Sequence, residues 1–320
     1  MVQYEYVCKT LKRIKTMKNN LGSGSFYIIL AGTCWGFIGL FVKNLYSLGL
    51  TPYETVFYRM LIGATFLALI ILFKPSASFK IGRNALSKTL AIGLISQMLF
   101  NYSYFKSIEI NPLSLAVILM YMSPVFAIIL ARIFYKELLS PKKIIALFCC
   151  LSGCFFTVTG GHLVLGNLSI SGILFGLLSG LSYAMFPIIS KSIPSGTSPY
   201  TLTFYSMFFG CIFFIPVAYF NNALTFSVSS GKILNLALLA SVSTALPYIF
   251  YYTGMSKGIE ASKAGVISSI EVAVAIIVSI VFFRESINIV QFIGIMLVCI
   301  SIFMLSSKKR PVFPVLKEPK

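Results

Sequence analysis

Apolar residues in this chain do not alternate with polar ones; they run together in long blocks. Ten blocks stand out, at 26–45, 55–73, 86–106, 112–135, 142–160, 170–190, 200–220, 232–256, 262–283 and 288–306. Each holds about 20 residues, the length at which a helix rising about 1.5 Å per residue crosses the hydrocarbon of a bilayer. The two-residue alternation of a membrane β-barrel is missing. Connections between blocks are too short to hide a soluble domain. The pattern predicts an all-α polytopic membrane protein with ten transmembrane helices.

Composition agrees. The chain is 58% hydrophobic and 11% charged, with a mean hydropathy of +0.90, against about 25% charged residues in a soluble domain. The net charge of +18 invites a nucleic-acid partner, but the basic residues form neither one patch nor a stripe interleaved with aromatics. They sort by loop. With an inside N-terminus, 21 of the 26 Lys and Arg residues fall on the inner side; Lys43, Arg59, Lys106, Lys232 and Arg284 are the exceptions. The positive-inside rule then places both termini in the cytoplasm, with a basic segment over 1–25 and a basic tail over 307–320 flanking a multi-pass protein of the cell membrane. The first block has full spanning length behind a long charged region, unlike a cleavable signal peptide. The seven cysteines lie mostly inside blocks and the one histidine, His162, in a loop, so no metal-ligand spacing arises and the cysteines read as packing residues.

The halves resemble each other. At an offset of 148, Gly32 falls on Gly180, Trp35 on Tyr183, Lys43 on Lys191, Ser114 on Ser262 and Glu137 on Glu285; one residue less aligns Pro52-Tyr53 with Pro199-Tyr200. Five blocks per half is an odd number, so the second half enters the membrane from the opposite side. The expected units are 26–160 (spans 1–5) and 170–306 (spans 6–10). Such inverted repeats are a recurrent plan of secondary transporters.

Four features resemble one family: Trp35-Gly36 within LAGTCWGFIGLFVK, Arg59 early in the second span, MYMSPVFAIILARIFYKE from Met120 to Glu137, and its partner SSIEVAVAIIVSIVFFRE from Ser268 to Glu285. Together they resemble the drug/metabolite transporter superfamily in its EamA-like, ten-helix branch. The resemblance implies transport of small organic metabolites, with substrates that differ widely between members. The sequence departs at Val272, where the family usually has proline after the mid-helix Glu, which removes one cause of a bend in span 9.

Candidate chemistry centres on Glu271, the one acidic residue near the middle of a span. A charge there costs about 2.5–3.5 kcal/mol on insertion scales, so such residues turn inward, either to act on substrate or protons or to bond a neighbouring helix. Its repeat mate is Ser123. Arg59 either pairs a substrate carboxylate or snorkels to headgroups or a neighbouring backbone. Gln97, Asn101 and Tyr104 share one face of span 3, and Thr244, Tyr248 and Tyr251 one face of span 8, by helical spacing; Tyr121 and, from the first-span motif, Trp35 complete the candidates for a substrate chamber. Either these polar stripes line that chamber or they join helices. Pro124 lacks an N–H and clashes with the Met120 carbonyl, so span 4 is expected to kink there, as a gate or as a fixed bend. Glu137 and Glu285 are expected to cap or to pair with adjacent Lys136 and Arg284 or with loop residues.

The leading reading is a secondary active transporter moving a small organic metabolite, amino-acid-like or similar, with export favoured, by alternating access and with protons as a candidate coupling ion. No GxxxxGK[ST] loop occurs, so no nucleotide cofactor is expected. A membrane-embedded enzyme would need clustered His, Asp or Cys at the interface, and a channel a charged ring or filter loop. A lipid or lipid-linked sugar flippase on the same scaffold is the alternative.

Overall fold

The computed structural model describes residues 23–73, 78–162, 168–194, 196–225 and 229–306. The tail expected over 307–320, and all but the end of the basic segment expected over 1–25, lie outside the described residues. Ten helical spans follow one another: α1 (Ser23–Ser47), α2 (Pro52–Phe73), α3 (83–110), α4 (Leu113–Tyr135), α5 (Pro141–Thr159), α6 (Ile170–Lys191), α7 (Pro199–Phe220), α8 (Ser230–Ser256), α9 (Ala261–Phe283) and α10 (Ile289–Ser306). All but α3 are long and apolar enough by themselves to cross a membrane. The exception carries Gln97, Asn101, Lys106 and Glu109. Large apolar side chains such as Leu72, Phe148 and Phe303 point outward, while Gln97, Asn101, Ser103 and Ser107 are buried. That inversion of the soluble pattern is what a hydrocarbon solvent demands, because polar side chains gain partners only inside the bundle.

Local signals set the ends. Helix α5 starts where the Ser140 hydroxyl accepts from the Lys143 N–H with Pro141 in the first turn, and it stops at Gly160, whose φ is 60°. These are the hydroxyl cap, proline start and left-handed glycine stop that helices favour.

The halves pack through their repeat mates. Helix α5 packs on α10 and α2 on α7, each pair joining a helix to its own repeat mate; α4 and α9, also mates, touch through the second half of one and the first half of the other. Span 4 divides into Leu113–Met120 and Ser123–Tyr135, and span 9 into Ala261–Ile267 and Ile270–Phe283. The break in α4 is the one expected from Pro124, which opens its second half. Helix α9 breaks at the matching place although Val272 replaces proline, through tighter three-residue bonds from Ser269 N to Val266 O and from Glu271 N to Ser268 O. Each break lies against a glycine of another span. A Cβ on Gly180 of α6 would sit 2.7 Å from the Leu119 carbonyl oxygen, and one on its mate Gly32 of α1 2.7 Å from the Ser268 carbonyl oxygen. Helices α3 and α8 are also mates, and each contains a wide turn, at Ile92–Leu99 and Ser241–Ala245.

Candidate functional site

Glu271 lies in the first turn after the α9 break, half-buried in the interior of the bundle. Its carboxylate accepts from the Tyr183 hydroxyl of α6 at 3.3 and 3.2 Å. It therefore faces protein, not lipid. Tyr183 stacks on Phe100 at 5.2 Å between ring centroids, and Phe100 on Tyr104 at 6.1 Å. On the other side Trp35 meets Tyr183 edge-on at 6.3 Å and lies 5.5 and 5.6 Å from Tyr248 and Tyr251. Phe186 closes the nest, 4.5 Å from Tyr251. Trp35, Ser123, Tyr183, Phe186, Tyr251 and Ser268 line a cavity of about 10 Å³, room for about one water molecule. Thus six of the sequence candidates, Glu271, Trp35, Ser123, Tyr104, Tyr248 and Tyr251, gather around one point, and Tyr121, at the α4 break, packs against the same core.

Arg59, Gln97 and Asn101 form a polar group that adjoins the nest at Tyr248, which interacts with both Gln97 and Arg59. The Arg59 guanidinium turns inward and donates to Asn101 Oδ1 at 3.1 Å, and Asn101 Nδ2 donates to the Gln97 carbonyl at 2.6 Å. Arg59 Nε has no hydrogen-bond partner among the described residues. Thr244 turns away from the chamber: its hydroxyl donates to the Leu239 carbonyl at 2.8 Å. Tyr183 and Phe186 were not among the sequence candidates. Tyr183 had a signal, since it is the repeat mate of Trp35.

Two ion stations mark opposite ends of the bundle. At one, buried Glu137 accepts from Lys191 Nζ at 2.7 Å, Lys143 Nζ at 3.4 Å and the Ala261 and Ser262 N–H groups at 2.9 and 3.4 Å, and it also bonds the Ser262 hydroxyl. Glu260 adds ion pairs to Lys143 and, at 3.1 Å, to Lys263. Burial works against the charged form of Glu137, but hydrogen bonds from Lys191 and Ser262 and the charges of Lys191 and Lys143 outweigh it and hold the carboxyl below its ordinary value. Beside this station opens a cavity of about 290 Å³ lined by Lys142, Lys143, Glu260 and Lys263. At the other end Lys43 Nζ donates to Glu285 at 3.0 Å, and the Ser279 hydroxyl donates to the same carboxylate. The neighbour pairings with Lys136 and Arg284 do not form. Both residues adopt left-handed backbone, φ 52° and 55°, and that turn swings the following glutamate across to another span. The correspondence between the stations extends to a lysine over a ring, Lys191 on Tyr135 at 4.5 Å and Lys43 on Phe283 at 3.8 Å.

Among the described residues no group of three or more His, Cys, Asp or Glu could hold a metal ion. The model of the EamA-like transporter family matches twice, over residues 22–159 and 170–307. An "Uncharacterized transporter" of Archaeoglobus fulgidus is 30% identical over 85% of this chain and 92% of its own length. The "Uncharacterized transporter YxxF" of Bacillus subtilis is 26% identical over 85% of each. A solved crystal structure at 15% identity superposes with a TM-score of 0.73, covering 88% of this chain and 96% of its own, a likeness of fold.

Proposed function

The chain belongs to the EamA-like transporter family, and from that premise we propose that it is a secondary active transporter that carries a small organic metabolite, amino-acid-like or similar, across the cell membrane by alternating access. Export is the favoured direction and protons are the coupling ion. Both termini lie in the cytoplasm, which makes the Glu137 station the inner one and the Glu285 station the outer one. One observation carries the reading: a carboxylate with a tyrosine donor and, among the described residues, no cation partner sits in an aromatic nest between two like-built stations in opposite states. Glu137 is 6% exposed and Glu285 54%. The nest holds too little space for an organic solute, so admission requires the broken helices to part. Glu271 is then the group that takes up a proton from one side and releases it to the other, with Tyr183 orienting it.

Flux into proteoliposomes under an imposed pH gradient tests this. Glu271→Gln should abolish gradient-driven accumulation while solute exchange persists, because glutamine keeps the acceptor for Tyr183 and loses the titrating proton. Gradient-driven flux at the wild-type rate in that variant would remove Glu271 from the coupling role.

A further inference from the structure

The inner station does more than pair charges. Through Ala261 and Ser262, Glu137 of α4 caps the start of α9 and so ties one repeat to the other. The repeat mates of Ala261 and Ser262 are Leu113 and Ser114, the first residues of α4. There the N–H groups of both residues and the Ser114 hydroxyl have no partner among the described residues, and Leu113 is 58% exposed. The mate of Glu137 is Glu285. Its backbone is already set in the same way: Glu285 N–H reaches the Ser279 carbonyl at 3.5 Å as Glu137 N–H reaches that of Ala131 at 3.3 Å, with a left-handed residue just before each. Glu285 itself rests on Ser279, where the first repeat has alanine.

We propose, on the reading of the chain as a transporter, that closing the outer end transfers the Glu285 carboxylate onto the start of α4, where it accepts from the N–H groups of Leu113 and Ser114 and from the Ser114 hydroxyl, while Glu137 leaves Ala261 and Ser262. Each glutamate is the pin of one gate, and each broken helix carries both a pin at its end and a socket at its start. Helix α4 brings Glu137 and the Leu113–Ser114 socket; α9 brings Glu285 and the Ala261–Ser262 socket. Occupying one socket draws the end of one helix to the start of the other on one face of the membrane. With both sockets filled the chamber is shut from both sides, so transport needs them filled in turn. Ser279 is the resting place that keeps the outer pin withdrawn while the inner one is engaged. The outer socket is also the weaker of the two. Where the inner station has Lys143 and Glu260, their mates are Gln291, whose side chain is used by Asn288, and Pro112. With fewer charges to add, the outer gate yields to the inner one when no solute is bound, which accounts for the state in which the structure is found.

Accessibility of a cysteine at each socket to a membrane-impermeant maleimide tests the exchange without any solute. Ala261→Cys reports the inner socket, now fully buried, and Leu113→Cys the outer one; both keep the backbone N–H. Glu137→Gln should raise inner labelling of the Ala261→Cys probe at least tenfold and lower outer labelling of the Leu113→Cys probe at least tenfold. Adding Glu285→Gln or Ser114→Ala should restore outer labelling, because the pin or its hydroxyl is gone. In an otherwise wild-type chain, Ser279→Ala should by itself reduce outer labelling, a variant at an exposed pair that leaves the buried station intact. The proposal is overturned if the inner socket opens and the outer one stays equally reactive, or if outer protection survives removal of Glu285. Loss of flux in the wild-type protein would instead remove the transporter reading and leave the labelling result standing by itself.

Discussion

Replacing Gly180 with alanine probes the close crossing that holds the broken part of α4 in place. The added Cβ would stand 2.7 Å from the Leu119 carbonyl oxygen and 3.1 Å from that of Met120, where ordinary contact begins at 3.4 Å. Both obstacles are backbone atoms and cannot rotate away as the end of a side chain can. Helix α6 must therefore retreat by roughly half an ångström or the break must deform, and overpacking of this kind costs about 1–3 kcal/mol. Alanine returns about 0.5–1 kcal/mol through its better helix propensity, which leaves a net loss of up to about 2.5 kcal/mol. Gly39 supplies the opposite sign in the same assay. It lies in the second half of α1 with nothing within 4 Å of an added Cβ, so Gly39→Ala should stabilise by about 0.5–1 kcal/mol. Thermal unfolding of the purified protein in detergent should move the two midpoints in opposite directions. If Gly180→Ala melts at or above the wild type, the crossing is not tight and the account of both breaks fails.

The two ion stations should respond unequally to loss of their lysines. Lys191→Met removes one of the two lysines paired with buried Glu137 and should cost about 1.5–3 kcal/mol, whereas Lys43→Met breaks a pair whose partners are 55% and 54% exposed and should cost under about 1 kcal/mol; similar losses in thermal melts would refute the difference. Acid should open the Glu137 end. The folded carboxyls of Glu137 and Glu260 lie below the ordinary value of 4.5, so their contribution is complete above that value and is lost as pH falls through the lowered ones. Hydroxyl-radical footprinting of residues 261–262, which needs no thiolate, should show protection through neutral and mildly acidic pH and loss of it only below 4.5; loss near neutrality would place control in another group.

How far the sequence could be read depended on the distance over which each signal acts. The ten spans were legible because burial in lipid needs only a run of apolar side chains, and α4 broke where Pro124 said it would. The break in α9 was not announced by any proline. It lies where Gly32 of α1 crosses and where the Ser268 hydroxyl donates to the Gly265 carbonyl, contacts of which the first exists only once α1 and α9 are side by side. Thr244 was placed with Tyr248 and Tyr251 on the assumption of one uniform helical period. The wide turn at Ser241–Ala245 changes the phase, and the Thr244 hydroxyl reaches a carbonyl five residues back. For Glu137 the sequence offers a cap, adjacent Lys136 or loop residues; the carboxylate caps the start of α9 and pairs with Lys143 and Lys191, and the offset of 148 already pairs Lys43 with Lys191 and Glu137 with Glu285. Read together, those two matches name both stations, and the same offset names Tyr183 through Trp35.

The repeats agree at the stations and helix breaks and differ at the centre, where the proposed reading puts the solute. Station residues, left-handed turns, helix breaks and glycine crossings recur at one offset. At the centre the correspondence lapses: Glu271 faces the chamber from α9 while its mate on α4 is Ser123, and Trp35 stands where the other half has Tyr183. The difference is physically sensible. Two carboxylates across a nest of about 10 Å³ would oppose each other's charge, whereas one carboxylate opposite one hydroxyl gives a single polar pole in an aromatic surround. Under the proposed alternating access, the frame would pass through near-equivalent inward and outward forms while the chamber presented the same asymmetric face to its contents in both. On the proposed transport reading, selectivity and coupling would rest with the few central residues that break the symmetry, and the direction of access with the Glu137 and Glu285 stations that keep it.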